Sequence, residues 1–214
     1  MDMRNCMNFF EIYKSNRRMV VIHHVLDDDF VISRIKENDL LFFDDCLYSQ
    51  YIFIEKYHKR LLEMNIVCVM GLSTKAIRPE NMTGIANVES HVLHNEMNTH
   101  IKTMNDDISG DFISGFMSKS EIDEIIKLPN VFLALHGCCH LKLENINNVL
   151  KRMETFISDT YDGIKILKEL GYNTNIYIYP YDYEPSIGNT FLRRVGFDFI
   201  FGGNDTKRIY IENL

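Results

Sequence analysis

The sequence predicts an α/β fold built on a mostly parallel sheet, open or closed into a barrel. Two observations carry this expectation. Seven apolar runs of strand length recur along the 214 residues, and segments of helical periodicity stand between them. The chain is 46% hydrophobic and 25% charged, which is enough to bury a sizeable core as one domain over residues 1–214.

The strands are expected at 19–25 (MVVIHHV), 40–43 (LLFF), 66–70 (IVCVM), 131–136 (VFLALH), 176–179 (IYIY), 197–201 (FDFIF) and 208–211 (RIYI). Helices are expected at 48–64, 120–128, 145–170 and 186–195. Ser118 with Glu121 makes a capping box before the second, and Gly171 and Gly196 stop the third and fourth as left-handed residues do. The one long irregular stretch is 73–117, rich in Gly, Asn and Asp, and it reads as a loop or insertion. There is no internal repeat.

The formal net charge of −7, with no cluster of Lys and Arg, argues against nucleic acid or an anionic membrane as the partner. No apolar stretch approaches the roughly 20 residues of a transmembrane helix. The five cysteines (Cys6, Cys46, Cys68, Cys138, Cys139) form an odd set without disulfide-like spacing. The opening MDMRNCMNFFEIYK lacks a signal peptide's apolar run, so a reduced, cytoplasmic chain is expected.

Chemistry gathers at the strand ends. The second strand runs into Asp44 and Asp45, two adjacent carboxylates that repel unless a cation or proton separates them. The fourth ends on His136, with His140 four residues on. Two imidazoles and one carboxylate, with water in the remaining position, make an open catalytic site of the zinc kind. The first strand ends near His23 and His24, and the fifth near Pro180 and Tyr181. In parallel sheets and barrels the C-terminal strand ends meet at one site, so the fold would collect residues that the sequence scatters. Cys138 and Cys139 read as a buried thiol and a bystander. His91, His94 and His100 read as surface residues of the long loop, and the alternating Tyr177, Tyr179, Tyr181 and Tyr183 as core packing with sugar stacking near Tyr181 as the sharper option.

These residues carry a family resemblance. FFDDC resembles the FDDG motif of the polysaccharide deacetylases (carbohydrate esterase family four), HGCCH their H-x3-H motif, IYPYDY their YPYG-like segment, and IHHVLDDD the YHxVxDD strand that opens many members. The motifs stand in order over about residues 19–210. The resemblance implies a distorted (β/α) barrel of about seven strands and a divalent metal ion, zinc above others. It also implies removal of acetyl groups from N-acetylated sugars. On that resemblance Asp45, His136 and His140 are the metal ligands and Asp44 is the general base. The backbone N–H of Tyr181, after Pro180, stabilises the oxyanion, and His23 rather than His24 protonates the leaving nitrogen.

The departures are specific. Cys46 and Asp182 stand where the family has glycines, so both turns must be made by residues that tolerate positive φ poorly. The family's base-orienting arginine position is Ile178, with Arg193 and Arg194 as candidate substitutes. There is no Trp, and the family's late Leu-His motif has no counterpart. The function expected is a metal-dependent carbohydrate N-deacetylase; the alternative is a lapsed member that binds a carbohydrate or protein without turnover.

Overall fold

The computed structural model of the protein describes residues 3–15, 17–23, 25, 27–86, 111–204 and 208–213. Seven strands form one parallel sheet: β1 (Met19–Val21), β2 (Leu40–Asp44), β3 (Val67–Leu72), β4 (Val131–Leu135), β5 (Ile176–Ile178), β6 (Phe199–Phe201) and β7 (Ile209–Tyr210). Their order is β6-β5-β4-β3-β2-β1-β7, with Val20 opposite Leu41 and Phe42 opposite Val69. The sheet curls into a half-barrel with helices in between, the distorted (β/α) barrel that the motifs imply.

Period-2 alternation sorts the strand side chains into two cores. Leu40, Phe42, Val67, Val69, Ala134, Ile176, Ile178, Phe199 and Phe201 fill the concave side. Leu41, Phe43, Cys68, Met70, Leu133, Leu135, Tyr177 and Tyr179 face the other way, among buried helix residues such as Phe53, Ile122 and Phe156. Continuing the same alternation past the apolar positions puts Asp44 and His136 on the concave side. Two residue types that never sit comfortably in an apolar core therefore share the mouth of the barrel.

The expected helices are present as α3 (Tyr48–Glu63), α4 (Lys119–Ile125), α5 (Val149–Glu169) and α6 (Gly188–Val195). The Ser118 capping box forms, and Gly171 and Gly196 take φ of 84° and 109° behind α5 and α6. Two helices lie outside the expectation, α1 (Met3–Lys14) and α2 (Asp28–Arg34). Helix α1 earns its place by one buried ring: Phe9 packs at 4.8 Å on Phe132 and 4.9 Å on Phe199, in the concave core. Helix α2 is only seven residues long, too short for a periodic signal, but Asp27 caps it by accepting from the N–H groups of Asp29 and Phe30.

Of the long stretch 73–117, residues 73–86 and 111–117 are described. Arg78 bridges to Ser118, Ile85 N–H donates to the Ser114 carbonyl, and a 3₁₀ turn spans Asp111–Gly115. His91, His94 and His100 lie outside the described residues, as does His24. Among the described residues no helix is long and apolar enough to cross a membrane.

Candidate metal centre and active site

Strand β2 delivers its last residue, Asp44, into the mouth, and the chain then turns sharply through Asp45 (φ 76°) and Cys46 (φ 53°). The left-handed backbone expected at Cys46 is thus real, and it begins one residue earlier. Gln50 on α3 holds the turn: its amide donates to the carbonyls of Ile22, His23 and Asp44, and its Oε1 accepts from Leu47 N–H. One buried side chain thereby ties the ends of β1 and β2 together.

Strand β4 delivers His136, and the next residues loop back through Gly137 (φ 75°) to His140 (φ 49°). Asp159, on the buried face of α5, organises this loop by accepting from the N–H groups of Cys138 and Cys139, each at 2.9 Å. Burial nevertheless pushes the Asp159 carboxyl up to about 6, against the lowering effect of those two hydrogen bonds. Gly163 lets α5 approach, since a Cβ there would meet Leu135 Cδ1 at 2.9 Å.

The structure brings Asp45, His136 and His140 together, all buried, with one ligand atom from each within 4.8 Å of the others. Asp45 Oδ1 lies 3.3 Å from His140 Nε2 and 3.7 Å from His136 Nε2. Tetrahedral ligands about 2.1 Å from a zinc ion are about 3.4 Å apart, so the spacing suits such an ion. The tautomer also fits. His136 Nδ1 is 3.0 Å from the Ile178 carbonyl, which can only accept, so Nδ1 carries the hydrogen. That leaves the His136 Nε2 lone pair buried without a hydrogen bond and aimed at Asp45. Asp45, His136 and His140 are a donor set that could hold a metal ion.

Asp44 is arranged differently from its neighbour. Its Oδ1 accepts from Arg208 Nη1 at 2.9 Å, with both side chains only about 1–2% exposed. Burial alone would raise the Asp44 carboxyl. The charge of Arg208, with smaller contributions from His136 and His23, overrides it and holds Asp44 below the ordinary carboxylate range. Arg208 is therefore the arginine that orients this carboxylate. Arg193 instead donates to the Asp198 carbonyl in an exposed position, which removes it from that role.

The substitution at Asp182 makes sense of Arg208. After β5 the chain turns at Pro180, with Tyr181 and Asp182 at φ 57° and 51°. Asp182 Oδ1 accepts from Arg208 Nε at 2.9 Å and also from its Nη2, while Oδ2 accepts from Tyr210 at 2.7 Å. Burial would lower the Arg208 pKa, but the charges of Asp44 and Asp182 raise it. Asp182 thus anchors the guanidinium that grips Asp44. Tyr181 packs its ring on His140 at 4.6 Å.

His23 continues the alternation from Val21 and stacks on Tyr210, ring centroids 5.2 Å apart, near enough to Asp44 to lower its pKa. The seven expected site residues, His23, Asp44, Asp45, His136, His140, Pro180 and Tyr181, therefore fall at one mouth, while His24 lies outside the described residues. Sequence reasoning missed Arg208, Asp182 in its anchoring role, Asp159 and Gln50. Asp159 had a legible signal: it falls on the buried stripe Phe156, Thr160, Gly163, Leu167 of α5, where an acid must find donors.

No protein-family model and no curated protein sequence matches this chain. Solved structures do. IcaB from Ammonifex degensii superposes with a TM-score of 0.52 at 17% identity over 97% of this chain and 81% of its own. A de-N-acetylase from Aggregatibacter actinomycetemcomitans gives 0.52 at 14% identity over 96% and 81%. A Bacillus anthracis protein assigned to the polysaccharide deacetylases gives 0.53 at 11% identity over 92% and 67%. The architecture is a curled parallel barrel with an acid and histidine centre at its strand ends. The fold is that of the polysaccharide deacetylases.

Proposed function

We propose that this chain is a metal-dependent hydrolase of the polysaccharide deacetylase family that removes acetyl groups from N-acetylated amino sugars in a glycan or glycan precursor. The observation that carries the proposal is the buried Asp45, His136 and His140 triad beside a second, arginine-held carboxylate. One aspartate faces two imidazoles and the other is left ionised, which is the division of labour that metal-assisted amide hydrolysis needs. We take residues 1–214 as one catalytic domain acting in a reducing, cytoplasmic setting, in keeping with thiols at Cys46, Cys68, Cys138 and Cys139.

Asp45, His136 and His140 would hold one divalent ion, zinc by donor type. When bound, it polarises the acetyl carbonyl and lowers the pKa of the attacking water. Asp44 takes the proton from that water, kept ionised and oriented by Arg208. The backbone N–H of Tyr181, turned by Pro180 into the left-handed region, donates to the developing oxyanion. His23 gives a proton to the leaving nitrogen, yielding an amine and acetate. Tyr181 offers a face for sugar stacking next to the reacting atoms.

The test pairs metal content with turnover. Purified protein should hold about one zinc per chain, and His136→Ala or Asp45→Ala should lose it while the fold remains. The loaded wild type should release acetate from N-acetylglucosamine oligomers. Equal metal in wild type and both variants would overturn the ligand assignment. Full metal without acetate release from any N-acetylated sugar would favour a binding protein that has lost turnover.

A further inference from the structure

Cys138 and Cys139 stand between His136 and His140 in the sequence, and the proposed hydrolysis uses neither. Their Sγ atoms and an Asp159 oxygen lie within 4.8 Å of one another. Asp159 already has partners here, since its two oxygens accept from the Cys138 and Cys139 N–H groups. Cys138 is buried and Cys139 is partly exposed, so the pair can be reached from one side.

We propose that Cys138 and Cys139 are a vicinal dithiol that peroxide oxidises to a disulfide, and that closing this bond disarms the Asp45, His136 and His140 triad. The first sulfur attacks a peroxide oxygen, the O–O bond breaks, and water leaves a sulfenic acid. The neighbouring sulfur then displaces the second oxygen as water. Two thiols lose two protons and two electrons in total, and one hydrogen peroxide becomes two waters.

The consequence for the triad follows from chain geometry. Adjacent Cα atoms are about 3.8 Å apart across a trans peptide, whereas disulfides ordinarily span roughly 4.4–6.8 Å between Cα atoms. Adjacent residues can never reach that range, so the eight-membered ring closes only with a strained peptide unit that displaces the backbone at 138–139. In the dithiol form that backbone is held by the two Asp159 hydrogen bonds and by Lys75 N–H donating to the Cys138 carbonyl at 3.0 Å. His140 follows directly, already at φ 49°, so its imidazole moves with the turn. Strain of this kind makes the bond easily reduced.

This consequence rests on the metal reading above, and the experiment separates the two. The full-length zinc-loaded protein is treated with stoichiometric hydrogen peroxide, then followed by intact and peptide mass and by zinc release to a chromophoric chelator. The expected result is a loss of about 2 Da within the peptide holding both cysteines, a fall of about tenfold or more in zinc affinity, and recovery of both with dithiothreitol. Cys139→Ser and Cys138→Ala should bind zinc as wild type does and keep it under the same peroxide dose. Intermolecular dimers, or sulfinic acid without the internal disulfide, overturn the dithiol. A disulfide with unchanged zinc affinity overturns the disarming. A fully reduced wild type that holds no zinc defeats the metal reading and with it the disarming, while the mass still decides the dithiol.

Discussion

Replacing Arg208 with Leu should expose how the mouth of the barrel keeps two buried carboxylates. In the native chain the guanidinium serves Asp44 and Asp182 at once, and its side chain is about 1% exposed. Asp44 is equally buried, whereas the Asp182 side chain is 23% exposed and partly hydrated, so Asp44 dominates the cost. Removing one partner of a buried pair costs about 3–5 kcal/mol, which at a urea dependence of about 2 kcal/mol per molar moves the unfolding midpoint by about 2 M. The sign with pH follows from Asp44. Its folded pKa is lowered from 3.8, so its contribution to stability is present above that value and is lost as pH falls through the lower folded pKa. Without Arg208 burial prevails, the folded pKa rises, and the Asp44 contribution reverses sign. The gap between wild type and Arg208→Leu should therefore be widest at neutral pH and shrink below about pH 4. Urea denaturation at both pH values reads this directly, and the acid limb of kcat/KM should move to higher pH. Arg208→Lys keeps the charge without the fork and should fall between the two. A gap under about 1 kcal/mol at neutral pH, or one that does not shrink in acid, refutes the reasoning.

On the proposed function, Asp44→Asn should keep the metal content of the wild type and lose on the order of 10²-fold or more in turnover; an unimpaired variant removes Asp44 from the chemistry. His23→Ala should retain metal and lose deacetylation, with a smaller loss on an activated ester whose leaving group needs no proton. A larger loss from His24→Ala at equal stability sinks that assignment. Gly137→Ala combines a φ of 75° with a Cβ 2.9 Å from Asp159 Oδ2 and 3.3 Å from Pro180 Cγ. It should cost at least about 1–2 kcal/mol, read as a thermal midpoint lower by several degrees, and an unchanged midpoint would show that the turn relaxes freely.

Strands and the acid and histidine cluster were legible because each announces itself locally. An apolar run of four to six residues predicts a buried parallel strand, and Asp-Asp or H-x3-H at its end predicts what the mouth contains. Helix α1 was not legible, because its one deeply buried ring, Phe9, matters only once Phe132 and Phe199 from distant strands meet it. Arg208 was hidden for a related reason. It stands at the head of the terminal apolar run, where a lone arginine looks like a solvated end, and its two carboxylate partners lie 164 and 26 residues away.

The departures at Ile178 and Asp182 are better understood as one exchange than as two losses. An arginine at 178 would point into the concave core, where Ile178 now packs with Phe42 and Phe201 and its carbonyl fixes the His136 tautomer. Moving the cation to the start of β7 lets that position stay apolar, but a guanidinium arriving from the far edge of the sheet needs a second anchor to aim it at Asp44. Glycine at 182 could supply no such anchor. Aspartate does, at the cost of a left-handed backbone that its short polar side chain tolerates better than most. Tyr210, two residues beyond Arg208, donates to the other oxygen of the same carboxylate and stacks on His23. The proposed base, its arginine and the proposed acid are thus joined through Asp182, so a change at any of them should be felt at the other two.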